Sequence, residues 1–386
     1  MHFYRNQWER DFAEELRGKI SVFLTRAQEL DESGAFPFQN IEDLKGNGYT
    51  KMTLPEQYGG MGKGLYEFLL MQELIAEYSG PTALAIGWHA GITLQLQDSR
   101  RGWNQQVLEE TLQKIGDGAL INRAASEAAT GSPTRGGRPG TNAVKETGQW
   151  VINGRKTFTT LAPVLDLFLV SAWIEEKNQL GWFLIEKDAS GLSIDKTWDV
   201  ISMQSTGSED LVLENVRIEE KYLVELADKK EFDEAWPLHI PACYIGIAKA
   251  ARDYALQFAS SYSPNSIKGT ISDLPNVKQK IGEIELELMR SRHFLYSVAS
   301  QWVQHPERHK ELKPQLGAVK KAVTNSAIHI VDQAMRIVGA KSLQRTNPMQ
   351  RYYRDVRAGL HNPPMDDMVV LGLAEQAIAG IKKTIE

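Results

Sequence analysis

Residues 351–367 read RYYRDVRAGLHNPPMDD, and the two halves of this stretch behave differently. The first half has the look of a heavily charged helix. The second half cannot stay helical, because Pro363 and Pro364 lack a backbone N–H and Pro363 pushes Asn362 out of the α region. A helix is therefore expected to stop at His361 and Asn362, with a short turn into a last helix over residues 366–385. Groups at so sharp a helix end are held rigidly and can point into a cavity. A plain helix–helix corner gives the same pattern.

Upstream of the break the pattern predicts helices over residues 347–360, 313–338, 275–304 and 240–260. Residues 260–273, rich in Ser, Gly, Pro and Asn, form a loop. The texture changes between residues 119 and 219, where short β-rich runs alternate with turn residues. Residues 150–152 and 156–160 flank Asn153 and Gly154, a hairpin signal, and 167–172, 181–185, 192–194 and 211–213 continue the pattern. Before residue 119 the chain is helical again. Residues 7–32 make one amphipathic helix with Phe12, Leu16, Ile20, Phe23, Leu24 and Ala27 at helical spacing. A short helix follows at 41–46, two apolar helices at 65–78 and 82–96, and an amphipathic one at 103–116. The glycine-rich stretch LPEQYGGMGKG (54–64) lacks the GxxxxGK[ST] spacing of a phosphate cradle, so its glycines shape a connection.

The chain has 386 residues, 42% hydrophobic and 24% charged, with a net charge of -5, which are the proportions of an ordinary globular protein. No long basic run invites nucleic acid. The single cysteine, Cys243, allows no internal disulfide and fits a reducing cytoplasm. The opening MHFYRNQWER lacks the apolar centre of a signal peptide, and no run of 18 apolar residues could span a bilayer. A soluble, cytoplasmic protein without a metal site is expected.

The helical–β–helical order carries six motifs. LPEQYGGMG looks like Pro-Glu-x-x-Gly-Gly-x-Gly, and Ser126-Glu127 with Gly131-Ser132 stand where Thr-Glu-Pro-Gly-Ala-Gly-Ser would. INGRKTFTT (152–160) is similar to Leu-Asn-Gly-x-Lys-x-Trp-Ile-Thr. Gly207-Ser208 with LVLENVRI, then RIVGAKS (336–342), then RYYRDVR complete the series. Each is common alone. Six in this order, over essentially the whole chain, resemble the acyl-CoA dehydrogenase superfamily of flavoproteins.

That resemblance implies an α+β fold of three domains: N-terminal helical (1–118), middle antiparallel β-barrel (119–230) and C-terminal four-helix bundle (231–386). It implies FAD, with FMN as the alternative, between the β domain and the last bundle. By position Ser126 and Thr160 would hydrogen-bond the flavin ring, Phe158 would stack on it and Ser132 would reach the pyrophosphate. The family's usual Arg is missing after the helix that contains Ala250 and Ala251. Arg336, three residues before Gly339, is expected to supply that charge to a phosphate. Family flavin sites are built across subunits, so a homo-oligomer, dimer or tetramer, is implied, as is an electron-transfer flavoprotein or a flavin reductase as partner.

The family's commonest reaction takes a proton and a hydride from adjacent carbons of an acyl thioester and needs a carboxylate. Its usual position, six after Arg357, holds Pro363. The alternative position, on the long helix that opens the C-terminal domain, holds Trp236, with Asp233 and Glu234 upstream. Asp366 and Asp367 read as first-turn helix charges. Gly339-Ala340-Lys341-Ser342, Pro348, Arg351, Arg354-Asp355 and His361 instead resemble the reduced-flavin-dependent, two-component monooxygenases of the same superfamily. There oxygen is activated on reduced flavin, and the substrate is aromatic or heterocyclic. His361, and second His89 in GWHAGITL, would manage protons. Acyl thioester dehydrogenation is the leading expectation. The monooxygenase is its alternative, and a non-catalytic flavin-binding member is the third.

Overall fold

The structure, a computed structural model, describes residues 3–97, 102–131, 137–226 and 234–385, with 382–385 as backbone only. Six helices come first: α1 (Gln7–Ile20), α2 (Phe23–Ser33), α3 (Phe38–Gly46), α4 (Leu65–Tyr78), α5 (Gly80–Gln95) and α6 (Gln105–Gly116). The one helix expected over 7–32 is two, because the Ser21 hydroxyl turns back to the Gly18 carbonyl at 3.0 Å and competes with the helical ladder. The buried residues of both pieces, Phe12, Leu16 and Ile20 then Phe23 and Ala27, still face one core. α5 starts two residues earlier than expected, capped by the Ser79 hydroxyl, which accepts from the Thr82 N–H, with Pro81 in its first turn.

α4 and α5 are buried almost throughout, so their polar residues need partners. Glu73 finds Lys249 at 2.6 Å, Arg292 at 3.0 Å and the Tyr296 hydroxyl at 2.6 Å. Burial alone would raise the Glu73 pKa, but the two cations outweigh it and hold it at about 2. These contacts tie α4 to the C-terminal helices.

The middle of the chain is an eight-stranded sheet: β1 (Ile121–Ala124), β2 (Asn142–Glu146), β3 (Gln149–Thr159), β4 (Leu167–Ile174), β5 (Gln179–Glu186), β6 (Leu192–Asp195), β7 (Glu209–Glu219) and β8 (Leu223–Leu226). Its order is β6-β7-β3-β2-β4-β5-β8, with β1 beside β4. The pairs are antiparallel except those of β4 with β1 and β2, which are parallel. The hairpin turn falls at Thr147 and Gly148, both at positive φ (47° and 81°), rather than at Asn153-Gly154. β3 runs on through Gly154, where a Cβ would lie 2.4 Å from Thr141 Oγ1. That glycine marks a close approach between backbones rather than a turn.

Helices return with α7 (His239–Ser261), α8 (Pro275–Gln304), α9 (His309–Val338), α10 (Pro348–Arg357) and α11 (Asp366–Ile385). The Asn347 side chain caps α10 by accepting from the Met349 N–H at 3.0 Å. After Arg357 the helix tightens into a 3-10 turn, Ala358–His361, and the chain turns extended at Asn362. The break lies where the prolines required it. One buried apolar cluster runs from α1 through the sheet to α10.

Candidate functional site

The end of β3 carries most of the singled-out residues. Lys156 is fully buried, its ammonium 2.7 Å from Glu127 Oε1. The same carboxylate accepts from the hydroxyls of Thr130 (2.7 Å) and Thr141 (2.6 Å) and from the N–H groups of Gly140 (2.7 Å) and Thr141 (3.0 Å). Burial alone would raise the Glu127 pKa, but Lys156 and the other donors hold it at about 2. This anchor presses the loop after β1 onto β3, where the Ser126 carbonyl accepts from the Thr157 N–H at 2.8 Å. Ser126 is thereby brought beside Thr157, the residue before Phe158.

The Phe158 ring is 60% exposed and stands edge-on to Trp198 at 5.9 Å. Its backbone has φ +58°, and Leu161 (+69°) and Met203 (+54°) share that left-handed region nearby. Such geometry costs roughly 1–3 kcal/mol for a bulky residue and persists where the surroundings over-determine the chain, typically at ligand clamps. The surroundings do so here. The N–H groups of Leu161 and Ala162 donate to the carbonyls of Thr206 and Gly207 at 3.1 Å each. A Cβ at Gly207 would lie 2.5 Å from the Phe36 ring. The Thr160 hydroxyl lies 2.9 Å from that of Ser208, itself 2.8 Å from that of Thr206. An exposed aromatic face with hydroxyl groups two residues away suits a flat heteroaromatic ligand.

The segment behind Trp198 is clasped by α10. Asp355 Oδ1 accepts from the Met203 N–H at 2.7 Å, and the Arg354 guanidinium donates to the Ile201 carbonyl at 2.7 Å and to Asp31 of α2 at 2.5 Å. Burial raises the Asp355 pKa to about 6, although the Met203 N–H and Arg351 pull the other way. At the helix break the Tyr244 hydroxyl donates to Asn362 Oδ1 at 2.5 Å. Pro363 and His361 are exposed. Asp366 is taken up by Asn325 (2.7 Å) and Lys320 (3.5 Å). At the opening of the C-terminal helices Glu234 Oε2 accepts from the Trp236 indole N–H at 2.8 Å, and a Cβ at Gly91 of α5 would lie 2.4 Å from that indole.

The remaining expectations fare differently. His89 is fully buried with both nitrogens in use: Nε2 donates to the Thr50 carbonyl (2.8 Å) and Nδ1 accepts from the Ile121 N–H (3.1 Å). Burial lowers its pKa to about 4, so it is a neutral strut between α5 and β1 with no nitrogen left for a substrate. Arg336 is exposed and pairs with Asp332 one turn back at 2.8 Å. Gly339 ends α9 at φ +69° with open space beside it. Ser132 and Asp233 lie outside the described residues. Among the described residues no three His, Cys, Asp or Glu side chains are grouped to hold a metal, and no helix is long and apolar enough to cross a membrane. The Glu127–Lys156 anchor, the strained backbone and the Tyr244–Asn362 bond were not read as site features from the sequence. The one available signal was Lys156 at an inward strand position.

Comparison with known proteins gives matches along nearly the whole chain. Family models described as acyl-CoA dehydrogenase N-terminal, middle and C-terminal domains match residues 7–115, 122–216 and 238–362. A Bacillus subtilis (strain 168) protein named "Putative acyl-CoA dehydrogenase YdbM" is 53% identical over 377 residues, 97% of this chain and 98% of that one. Butyryl-CoA dehydrogenase from Megasphaera elsdenii superposes with a TM-score of 0.86 at 18% identity, covering 98% and 100% of the two chains. KijD3, solved with FMN and a dTDP-sugar, superposes at 0.85 with 23% identity, covering 97% and 95%. At those identities the two structures speak for the fold alone.

Proposed function

Because the chain belongs to the acyl-CoA dehydrogenase family, we propose that it is a flavin-dependent oxidoreductase that dehydrogenates the CH–CH bond of an acyl thioester, with Glu234 as the base. The flavin reading is supported by the exposed Phe158 ring beside Trp198, the Thr160–Ser208 hydroxyl pair and the anchored Ser126 loop. A bound flavin, FAD by family habit, supplies the two-electron acceptor for the hydride that leaves the β-carbon. Phe158 gives the ring a face to lie against, and Thr160 and Ser126 offer it hydrogen bonds.

The chain's own task is to remove the α-proton. Pro363 cannot do so, and Asp355 and Asp366 are committed elsewhere. Glu234 is a half-buried carboxylate at the opening of the C-terminal helices, and the Trp236 indole N–H donates to its Oε2 at 2.8 Å and fixes where it points. That observation carries the proposal. Anaerobic addition of acyl-CoA thioesters of several chain lengths should bleach the oxidised flavin, and Glu234→Gln should abolish bleaching while leaving bound flavin unchanged. No bleaching with any thioester sinks the reading. Oligomerisation, and an electron-transfer flavoprotein that reoxidises the enzyme, belong to the same proposal.

Pro363 favours one second reading, a monooxygenase that receives reduced flavin from a separate reductase. That reaction needs no α-proton base, and the exposed His361 at the break is its acid–base candidate. Oxygen uptake by the reduced protein, coupled to hydroxylation of an aromatic substrate and lost in His361→Ala, would identify it.

A further inference from the structure

Several rings meet at the start of α7. The His239 imidazole lies nearly parallel to Trp236 (5.8 Å, 16°) and to Phe68 (5.9 Å, 23°). The Trp88 indole stands edge-on to His239 at 5.0 Å and to Trp236 at 5.5 Å. His239 is fully buried, yet neither of its ring nitrogens has a hydrogen-bond partner among the described residues. Burial lowers its pKa to about 3, so the ring is neutral and offers one N–H and one lone pair.

α5 is cut away to make room. A Cβ at Gly87 would lie 2.4 Å from His239 Nδ1, and one at Gly91 equally close to the Trp236 ring. Continuing at the same four-residue spacing, Gln95 lies on that face of α5, and it too is buried with neither amide atom partnered among the described residues. Buried polar groups are nearly always bonded, so two that are unmatched among the described residues, beside the indoles of Trp88 and Trp236, call for a partner from outside those residues. Trp88 is only half-buried, which leaves the cluster open on its side.

We propose that this cluster is the specificity end of the substrate pocket, where His239 and Gln95 bond a polar substituent on a planar aromatic ring that ends a short acyl chain. Trp236 holds Glu234 on one edge and stacks on His239, so the box begins one indole's width from the carboxylate assigned as base. A straight aliphatic chain or a bare phenyl ring would leave both polar groups unmatched. The inference rests on the dehydrogenase reading above.

The test uses the flavin-loaded protein with 3-(4-hydroxyphenyl)propanoyl-CoA, 3-phenylpropanoyl-CoA and octanoyl-CoA. Indole fluorescence reports binding and flavin absorbance reports reduction. His239→Phe keeps the stacked ring and drops both nitrogens, and Gln95→Leu keeps the volume. The hydroxyphenyl thioester should bind about tenfold tighter than the other two, as a site built to bond a substrate hydroxyl discriminates against analogues lacking it. His239→Phe should erase most of that preference without weakening the phenyl ligand. A preference that survives both variants, or an equal loss for all three ligands, overturns the proposal and leaves His239 bonded to an ordered water only. Bleaching by octanoyl-CoA with no preference for the hydroxyphenyl ring sinks the box alone. A variant-sensitive preference without any bleaching keeps the box and sinks the dehydrogenase.

Discussion

The Tyr244 hydroxyl donates to Asn362 Oδ1 at 2.5 Å, which pins the residue before Pro363 to the first half of α7. Tyr244 is fully buried, and burial pushes its phenol far up, so it stays a donor across the working pH range. A Cβ at Gly359 would already lie 3.1 Å from the Tyr244 ring, so the turn rests on that ring as well. Tyr244→Phe should keep the packing and lose only the bond. The expected cost is about 1 kcal/mol in urea denaturation. An unshifted midpoint would show that the prolines alone hold the break.

Phe158 combines an exposed ring with a strained backbone, so its two properties can be separated by substitution. Phe158→Ala and Phe158→Gly both remove the stacking face and should lower flavin affinity at least tenfold, read from flavin fluorescence on titration. Glycine tolerates positive φ and alanine does not, so the Gly variant should be the more stable of the two by about 1 kcal/mol. Equal stabilities would mean the left-handed conformation is not kept in solution.

Lys156 and Glu127 form a buried pair whose partners cannot be removed singly without cost. Lys156→Met should destabilise the protein by about 3 kcal/mol, because it leaves a carboxylate short of its cation, and Glu127→Gln added to it should recover part of the loss. The pH dependence follows from the lowered Glu127 pKa of about 2. Its contribution is full above the unfolded value near ~4.3 and is lost as pH falls through about 4 to 2. Denaturation of Glu127→Gln at pH 3 and pH 7 should therefore differ less than that of the wild-type protein.

Asp355 has the opposite sign. Its pKa rises from 3.8 to about 6 through burial, so the folded chain keeps this proton to a higher pH than the unfolded chain does. The stabilising effect is complete below the unfolded value and is lost as pH rises from about 4 to 6. Measured by denaturation, wild-type stability minus that of Asp355→Asn should fall by on the order of 2–3 kcal/mol between pH 4 and pH 7. Arg351 and Arg354 pull the same carboxylate down while Asp31 adds to the rise, so a flat difference would mean that the two arginines and the Met203 N–H cancel the burial.

Much of the architecture was legible because it is written in periodicity and in prolines. The long helices from α7 onward, the β texture between residues 119 and 219 and the stop after His361 all follow from local rules. The hairpin was misjudged because Asn153-Gly154 has the composition of a turn while its glycine serves a tertiary approach to Thr141. The split of the first helix at Ser21 is a side-chain competition that periodicity does not register. Phe158 and Thr160 came as flavin candidates from one strand motif, and the exposure of the Phe158 ring and the Thr160–Ser208 pair appear only in the fold. The neutral role of His89 was not, because it depends on Thr50 and Ile121, which lie far from it in the sequence. Arg336 had the right charge for a phosphate, but its pairing with Asp332 appears only once the helix is built.

Arg354 and Asp355 reach both Asp31 in the first helical part and residues 201–203 in the sheet part, so three regions matched by separate family models meet at one clasp. The consequence concerns how such a protein can be recombined. A chimera that imports the sheet region from a relative brings only one jaw of the clasp. It should assemble properly only when residues 31, 201–203 and 354–355 travel together as a matched set.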